Sequence, residues 1–168
     1  KSNIVVGTKM TNLGIRNALT DNGMKFIEAD VGDRHVMNHL IKNKAILGGE
    51  GSGHIICLNK STSGDAIIAA LQVLEIVAKS GQSLFDLKSE MTKYPQVLIN
   101  IKTESKVNLN DSKLLELIGA VESKLSDKGR LLVRESGTEP LVRVMVECAD
   151  NALATESAKQ ISEAIQSM

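Results

Sequence analysis

The chain has 168 residues, 42% of them hydrophobic, and its 20 Lys and Arg are balanced by 20 Asp and Glu. That suffices for one or two small domains with buried cores, and the sequence shows neither an apolar run of membrane-spanning length nor a signal-peptide pattern. A formal net charge of zero, with two Phe, one Tyr and no Trp, counts against general nucleic-acid binding, which draws on basic and aromatic surface.

In chain order, Ile4–Val6 reads as a short strand. It leads into a helix carrying Leu13, Ala18 and Leu19 that stops at Gly23. Lys25–Val31 reads as a second strand. Asp33–Lys42 is a helix with Val36, Met37, Leu40 and Ile41 at helical spacing. Ala45–Leu47 and Ile55–Leu58 read as two further strands separated by a glycine-rich turn at Gly48–Gly53. A longer helix follows, capped by Ser63 or Asp65 and ended by Gly81, with Ile67, Leu71, Leu74 and Ala78 as its apolar stripe. A shorter helix is expected at Ser83–Met91.

Tyr94-Pro95 interrupts the periodicity, so a boundary falls there, between domains at 1–91 and 92–168. The second part reads β-α-β-β-α. Val97–Thr103 is a strand, Asp111–Leu125 an amphipathic helix with Leu114, Ile118, Val121 and Leu125 on one face, and Arg130–Arg134 and Leu141–Glu147 form a hairpin. The final helix, Asn151–Met168, turns Ala158, Ile161, Ile165 and Met168 toward the sheet. The fold class is therefore α/β followed by α+β, the latter a small antiparallel sheet with two helices on one face. Cys57 and Cys148 each lie in an apolar strand-like run and read as buried free thiols. Because Lys1 runs almost at once into a strand, the chain is expected to be a fragment of something longer.

Two segments carry chemistry. Between Arg134 and Arg143 lie Ser136, Gly137 and Thr138. Small residues let backbone N–H groups converge on an anion, hydroxyls add donors, and each guanidinium offers a planar fork that fits phosphate oxygens. The bland alternative is an ordinary polar hairpin with solvated arginines, and Glu135 and Glu139 dilute the local charge. In Gly48-Gly-Glu-Gly-Ser-Gly-His54 four glycines admit a close ligand. Glu50, Ser52 and His54 alternate, and in an extended segment they would point the same way and could bond vicinal sugar hydroxyls. Too few good ligands remain there for a metal. Asp33 fits a helix cap, with Arg34 and His35 in the first turn, where cations are unfavourable unless an anion binds nearby. Thr62-Ser63-Gly64-Asp65 reads as helix-start chemistry. No nucleophile–base pair, P-loop or dinucleotide fingerprint is present. Taken alone, these residues describe a binding module for phosphosugars or other anions without a reaction centre.

Arg134–Glu147 closely resembles the C-terminal phosphate-binding loop of the α-D-phosphohexomutase superfamily, and its Ser-Gly-Thr-Glu-Pro wording favours the phosphoglucosamine mutase branch over the phosphoglucomutase and phosphomannomutase branches. Gly49-Glu-Gly-Ser-Gly-His54 is similar to that superfamily's sugar-binding loop. Val5-Val6-Gly7-Thr8, Val31-Gly32-Asp33-Arg34 and Thr62-Ser63-Gly64-Asp65 match further segments in order. One position departs from the pattern: Gly51 stands where this branch usually carries Gln or Asn.

The resemblance implies a mixed-sheet domain three followed by the C-terminal domain four of a four-domain enzyme. It implies interconversion of glucosamine 6-phosphate and glucosamine 1-phosphate through a phosphoserine and a 1,6-bisphosphate, with Mg2+ bound in the full-length enzyme. The phosphoserine and the magnesium ligands are expected outside this chain, which alone should be inactive. Glu50, Ser52, His54, Asp33 and Arg34 are the expected sugar-side contacts; Arg134, Ser136, Gly137, Thr138 and Arg143 are the expected phosphate contacts. The expected partners are a phosphosugar and the remaining domains of the same polypeptide. Nucleic acid and membrane are not expected, the location is expected to be cytoplasmic, and a homodimer of the full-length enzyme is compatible with the resemblance.

Overall fold

A computed structural model of the chain describes residues 2–103, 107–137 and 139–168. The chain forms two compact units, residues 1–93 and 94–168, each built around its own core.

In the first unit β1 (Ile4–Thr8), α1 (Leu13–Asp21), β2 (Lys25–Ala29), α2 (Asp33–Lys42) and β3 (Leu47–Gly49) alternate, followed by β4 (Ile55–Cys57), α3 (Ala66–Ser80) and the short α4 (Leu84–Lys88). The sheet order is β2-β1-β3-β4. β1 runs parallel to both neighbours, and β4 turns back antiparallel to β3. Two parallel neighbours require crossover connections, and α1 and α2 supply them. Val36 and Leu40 of α2 are fully buried against Val6, Ala29, Ala45 and Ile56, each contributing about 1.5–3 kcal/mol on burial.

Three details differ from the sequence-based expectation. β3 lies at Leu47–Gly49, not Ala45–Leu47, so Gly48 belongs to a strand rather than to the turn. A Cβ there would stand 2.8 Å from Val36 Cγ1 and 2.9 Å from the Val6 carbonyl oxygen. Glycine is thus what lets α2 sit directly on the sheet. Secondly, α3 is apolar on two sides. The expected stripe faces outward, with Ile67 73%, Leu71 55% and Leu74 61% exposed, while Ala69 is buried and Ile68, Val73 and Val77 are half-buried. Finally, Ile41 of α2 and the terminal Met168 are exposed, although the spacing grouped them with core residues.

In the second unit β5 (Gln96–Lys102), α5 (Ser112–Leu125), β6 (Gly129–Glu135), β7 (Leu141–Cys148) and α6 (Asn151–Gln166) form an antiparallel sheet of order β5-β7-β6 with two helices on one face. Asp111 and Asp150 cap α5 and α6, each accepting two backbone N–H bonds, worth about 1 kcal/mol apiece. Val142, Val144, Val146 and Cys148 of β7 turn toward Leu114, Val121, Leu125, Ala158, Ile161 and Ile165. The alternate residues Arg143, Met145 and Glu147 therefore turn to the face away from the helices. Both cysteines are free, Cys148 buried and Cys57 half-buried. Among the described residues no helix is long and apolar enough to cross a membrane.

Candidate functional site

β1, β2 and β3 are parallel, so their carboxyl ends lie along one edge of the first sheet. The chain leaves β1 for β2 on one side and reaches β3 on the other. In open α/β sheets that reversal leaves a crevice at the carboxyl edge where ligands bind. Val31-Gly32-Asp33-Arg34 follows β2, and Glu50–His54 follows β3.

Residues 50–54 form a tight turn. Glu50 N donates to the His54 carbonyl at 2.9 Å, and Gly53 N to the Glu50 carbonyl at 3.1 Å. This corrects the extended geometry assumed above, so alternation does not govern where Glu50, Ser52 and His54 point. Ser52 is exposed at the turn. Glu50 reaches across to the start of α2, where its Oε1 accepts from Gly32 N at 2.7 Å. The N-cap of α2 is Gly32, which has no side chain to offer. Asp33 occupies the first helical position instead, with Oδ1 accepting from Arg34 N at 2.7 Å. Two carboxylates thus meet the positive end of α2, a favourable arrangement. Arg34 is exposed beside them.

His54 Nε2 lies 3.1 Å from the Gly64 carbonyl oxygen, and Nδ1 lies 3.8 Å from Asp33 Oδ2. A Cβ on Gly64 would fall 2.1 Å from Nε2, so the ring occupies space that only glycine leaves free. Asp65 caps α3 through Ile67 N and Ile68 N. Gly51 faces open space. The structure therefore joins Asp33, Glu50 and His54, and adds the Gly64 carbonyl, which sequence reasoning passed over because a backbone oxygen leaves no mark in residue type. It also passed over the Thr8–Thr11 loop at the carboxyl end of β1, where Arg16 donates to the carbonyls of Thr8, Lys9 and Thr11.

In the second unit Arg134 and Arg143 are direct cross-strand partners in the β6–β7 ladder, and Asn100 of β5 pairs with Arg143 on the other side. Like charges directly opposite one another are unfavourable in a sheet. Burial, and then the adjacent Arg143 guanidinium, hold Arg134 below the ordinary arginine range. Arg143 Nε is buried and finds no partner among the described residues, while its Nη2 lies 3.3 Å from Glu139 Oε2.

Two rungs away on the same face, the row Gln96–Glu147–Arg130 contrasts with this one. There the fully buried Glu147 accepts from Arg130 Nε at 2.6 Å and from Gln96 Nε2 at 3.2 Å. One row carries its own counter-charge; the other sets two cations side by side with no acid opposite. The hairpin loop continues from these arginines through Ser136, half-buried with its N–H bonded to the Leu141 carbonyl at 2.9 Å, and the exposed Gly137. Thr138 lies outside the described residues. Among the described residues no group of three His, Cys, Asp or Glu could hold a metal ion.

Comparison with known proteins follows this division. Residues 1–94 match the family described as phosphoglucomutase/phosphomannomutase, alpha/beta/alpha domain III, and residues 98–164 match its C-terminal domain. A phosphoglucosamine mutase of Ruthia magnifica subsp. Calyptogena magnifica is 60% identical over 162 residues, which cover 96% of this chain and 37% of that protein. One of Vibrio campbellii is 52% identical over 163 residues, covering 96% and 36%. The chain therefore spans little more than a third of the relatives it matches. Among solved structures, N-acetylphosphoglucosamine mutase of Aspergillus fumigatus, in complex with GlcNAc-6P and magnesium, superposes with a TM-score of 0.83 at 20% identity, covering 98% of this chain and 38% of that one. A phosphoglucomutase/phosphomannomutase family protein of Burkholderia thailandensis superposes with a TM-score of 0.73 at 17% identity, covering 99% and 38%.

Proposed function

The chain belongs to the phosphoglucomutase/phosphomannomutase family, and on that premise we propose that it is the sugar- and phosphate-holding portion of a phosphoglucosamine mutase, which interconverts glucosamine 6-phosphate and glucosamine 1-phosphate. The observation that carries this reading is the Arg134–Arg143 cross-strand pair. Two arginines paired across strands, with Glu139 3.3 Å from Arg143 but no acid in their own row, favour an anion, and a sugar phosphate brings about −1.5 to −2 charges at neutral pH. The name phosphoglucosamine mutase on relatives up to 60% identical supports the amino-sugar branch over the phosphoglucomutase and phosphomannomutase branches.

In this proposal Arg134 and Arg143, with the hydroxyls of Ser136 and Thr138 and the Gly137 backbone, hold the phosphate that is not reacting. Glu50 is presented by its bond to Gly32 N. With Ser52, His54, Asp33 and Arg34 it contacts the sugar. The reaction passes through a 1,6-bisphosphate that turns end for end, so the phosphate grip must accept either end of the sugar. A grip made of charge and planar donors does so, because it reads the phosphate rather than the carbon that bears it. The phosphoserine that gives and takes back the phosphoryl group belongs to the part of the polypeptide beyond this chain, as do the magnesium ligands. This chain thus binds without turning over.

Titrating the chain with glucosamine 6-phosphate, followed by amide NMR shifts, tests the proposal. Saturable shifts are expected in residues 134–143 and 50–54, and inorganic phosphate alone should move only the former. No saturable change up to roughly 10 mM, meaning binding weaker than about −3 kcal/mol, overturns the reading. Turnover by the purified chain would overturn the division of labour.

A further inference from the structure

We infer that Asn100 of β5, which lies outside the hairpin, is a further positioning residue of the phosphate grip: its neutral amide pairs with the Arg143 guanidinium and leaves the positive charge of the row to the ligand. The inference rests on the phosphate reading above and goes beyond it by adding a residue from a third strand. Val97, Ile99 and Ile101 pack against the core of the second unit, so Gln96, Leu98 and Asn100 turn to the opposite face, with Arg143 and Glu147. Two rows on that face share one layout, each with an amide on β5, a charged residue on β7 and an arginine on β6. In the closed row the amide is engaged, because Gln96 Nε2 donates to Glu147 Oε1 at 3.2 Å. Directly opposed residues have Cβ atoms about 4.5–5.5 Å apart, a span that Asn100 and the long Arg143 side chain bridge between them.

In the open row the β7 residue donates rather than accepts. Arg143 Nε is buried and has no partner among the described residues, and a buried N–H left unpaired is unfavourable. Asn100 is exposed on the strand beside it. Its carbonyl oxygen can accept from Nε, while its NH2 remains to donate to a phosphate oxygen. With Nε taken, the two Nη groups form the fork that meets the phosphate. Glu139, 3.3 Å from Nη2, reaches Arg143 from the loop and not from this row. An acid at position 100 would give Arg143 what Glu147 gives Arg130, and the anion would have to displace it. An apolar residue would leave Nε unpaired. A neutral acceptor holds the guanidinium without neutralising it.

The test compares the wild-type chain with Asn100→Leu, Asn100→Gln and Asn100→Asp. Each is titrated with inorganic phosphate and with glucosamine 6-phosphate, and each is unfolded thermally without ligand. Asn100→Leu removes the acceptor and keeps the charge of the row, so affinity for both ligands should fall by the same factor, about two- to tenfold, the worth of one neutral hydrogen bond. Asn100→Gln keeps the amide and should bind both more tightly than Asn100→Leu. Asn100→Asp sets an acid opposite Arg143, and both affinities should fall by roughly tenfold or more. No midpoint should fall, because position 100 is exposed. Wild-type affinity in Asn100→Leu or Asn100→Asp overturns the inference, as does an Asn100→Gln no better than Asn100→Leu. A midpoint that falls together with affinity overturns it too, since the side chain would then be structural. In each of these cases the mutase reading stands. If the wild-type chain binds neither ligand, both fall.

Discussion

The arginine pair gives the sharpest test of how this molecule works. Arg143→Met keeps the aliphatic stem and removes the charge and the fork. A charge-assisted hydrogen bond is worth about 1.5–3 kcal/mol, so phosphosugar affinity should fall by roughly 10- to 150-fold. Stability should respond quite differently. Removing one of two guanidiniums that face each other across β6 and β7 relieves about 0.2–1 kcal/mol. Losing the exposed contact with Glu139 costs about 0–1 kcal/mol. The two nearly cancel, and the thermal midpoint should move by no more than a few degrees, since ~1 kcal/mol shifts a domain of this size by about 4–8 °C. Calorimetric titration with glucosamine 6-phosphate, paired with thermal unfolding of the unliganded chain, reads both quantities. An affinity within twofold of wild type refutes the phosphate grip. A large drop in the midpoint refutes it too, because Arg143 would then be a structural residue. Arg143→Lys should fall between, keeping charge and losing the bidentate geometry.

Two further outcomes concern the scaffold. Arg130→Met leaves the fully buried Glu147 carboxylate without its 2.6 Å partner and should cost about 3–5 kcal/mol in urea unfolding; a loss below about 1 kcal/mol would mean that Gln96 and other neighbours suffice to hold the charge. Gly48→Ala brings a methyl group to 2.8 Å from Val36 Cγ1 and should cost about 1–3 kcal/mol by overpacking, seen as a lowered thermal midpoint; an unchanged midpoint would show that α2 can lift off the sheet freely.

Legibility in the sequence followed side chains. The bounds of α2 could be read directly, because Val36 and Leu40 are apolar and spaced for one helix face. β3 lies off its expected place because two of its three residues are Gly48 and Gly49, and a strand without side chains has no alternation to read. In α3 the difficulty was an excess of signal: with apolar residues on two sides, spacing alone cannot say which side meets the sheet. The hairpin arginines could be read, since Val142, Val144 and Val146 assign one face of β7 and leave Arg143 on the other. That Arg134 stands opposite depends on the register of β6 against β7, which the alternation of side chains does not give. Around His54, residue types pointed to hydrogen-bonding chemistry, whereas the geometry rests on a turn and on the Gly64 carbonyl, neither of which composition encodes.

Helix α3 has a consequence for the chain as a colloid. Its outward side chains, Ile67, Leu71 and Leu74, are each more than half in contact with water, and covering one such side chain completely is worth about 1.5–3 kcal/mol. The formal net charge is zero, so no long-range repulsion keeps two copies from approaching. This side of α3 therefore favours contact between copies, and it is remote in sequence from the arginine hairpin. A single acidic substitution at Leu71 should weaken that attraction at little cost to the fold, because this side chain is 55% exposed.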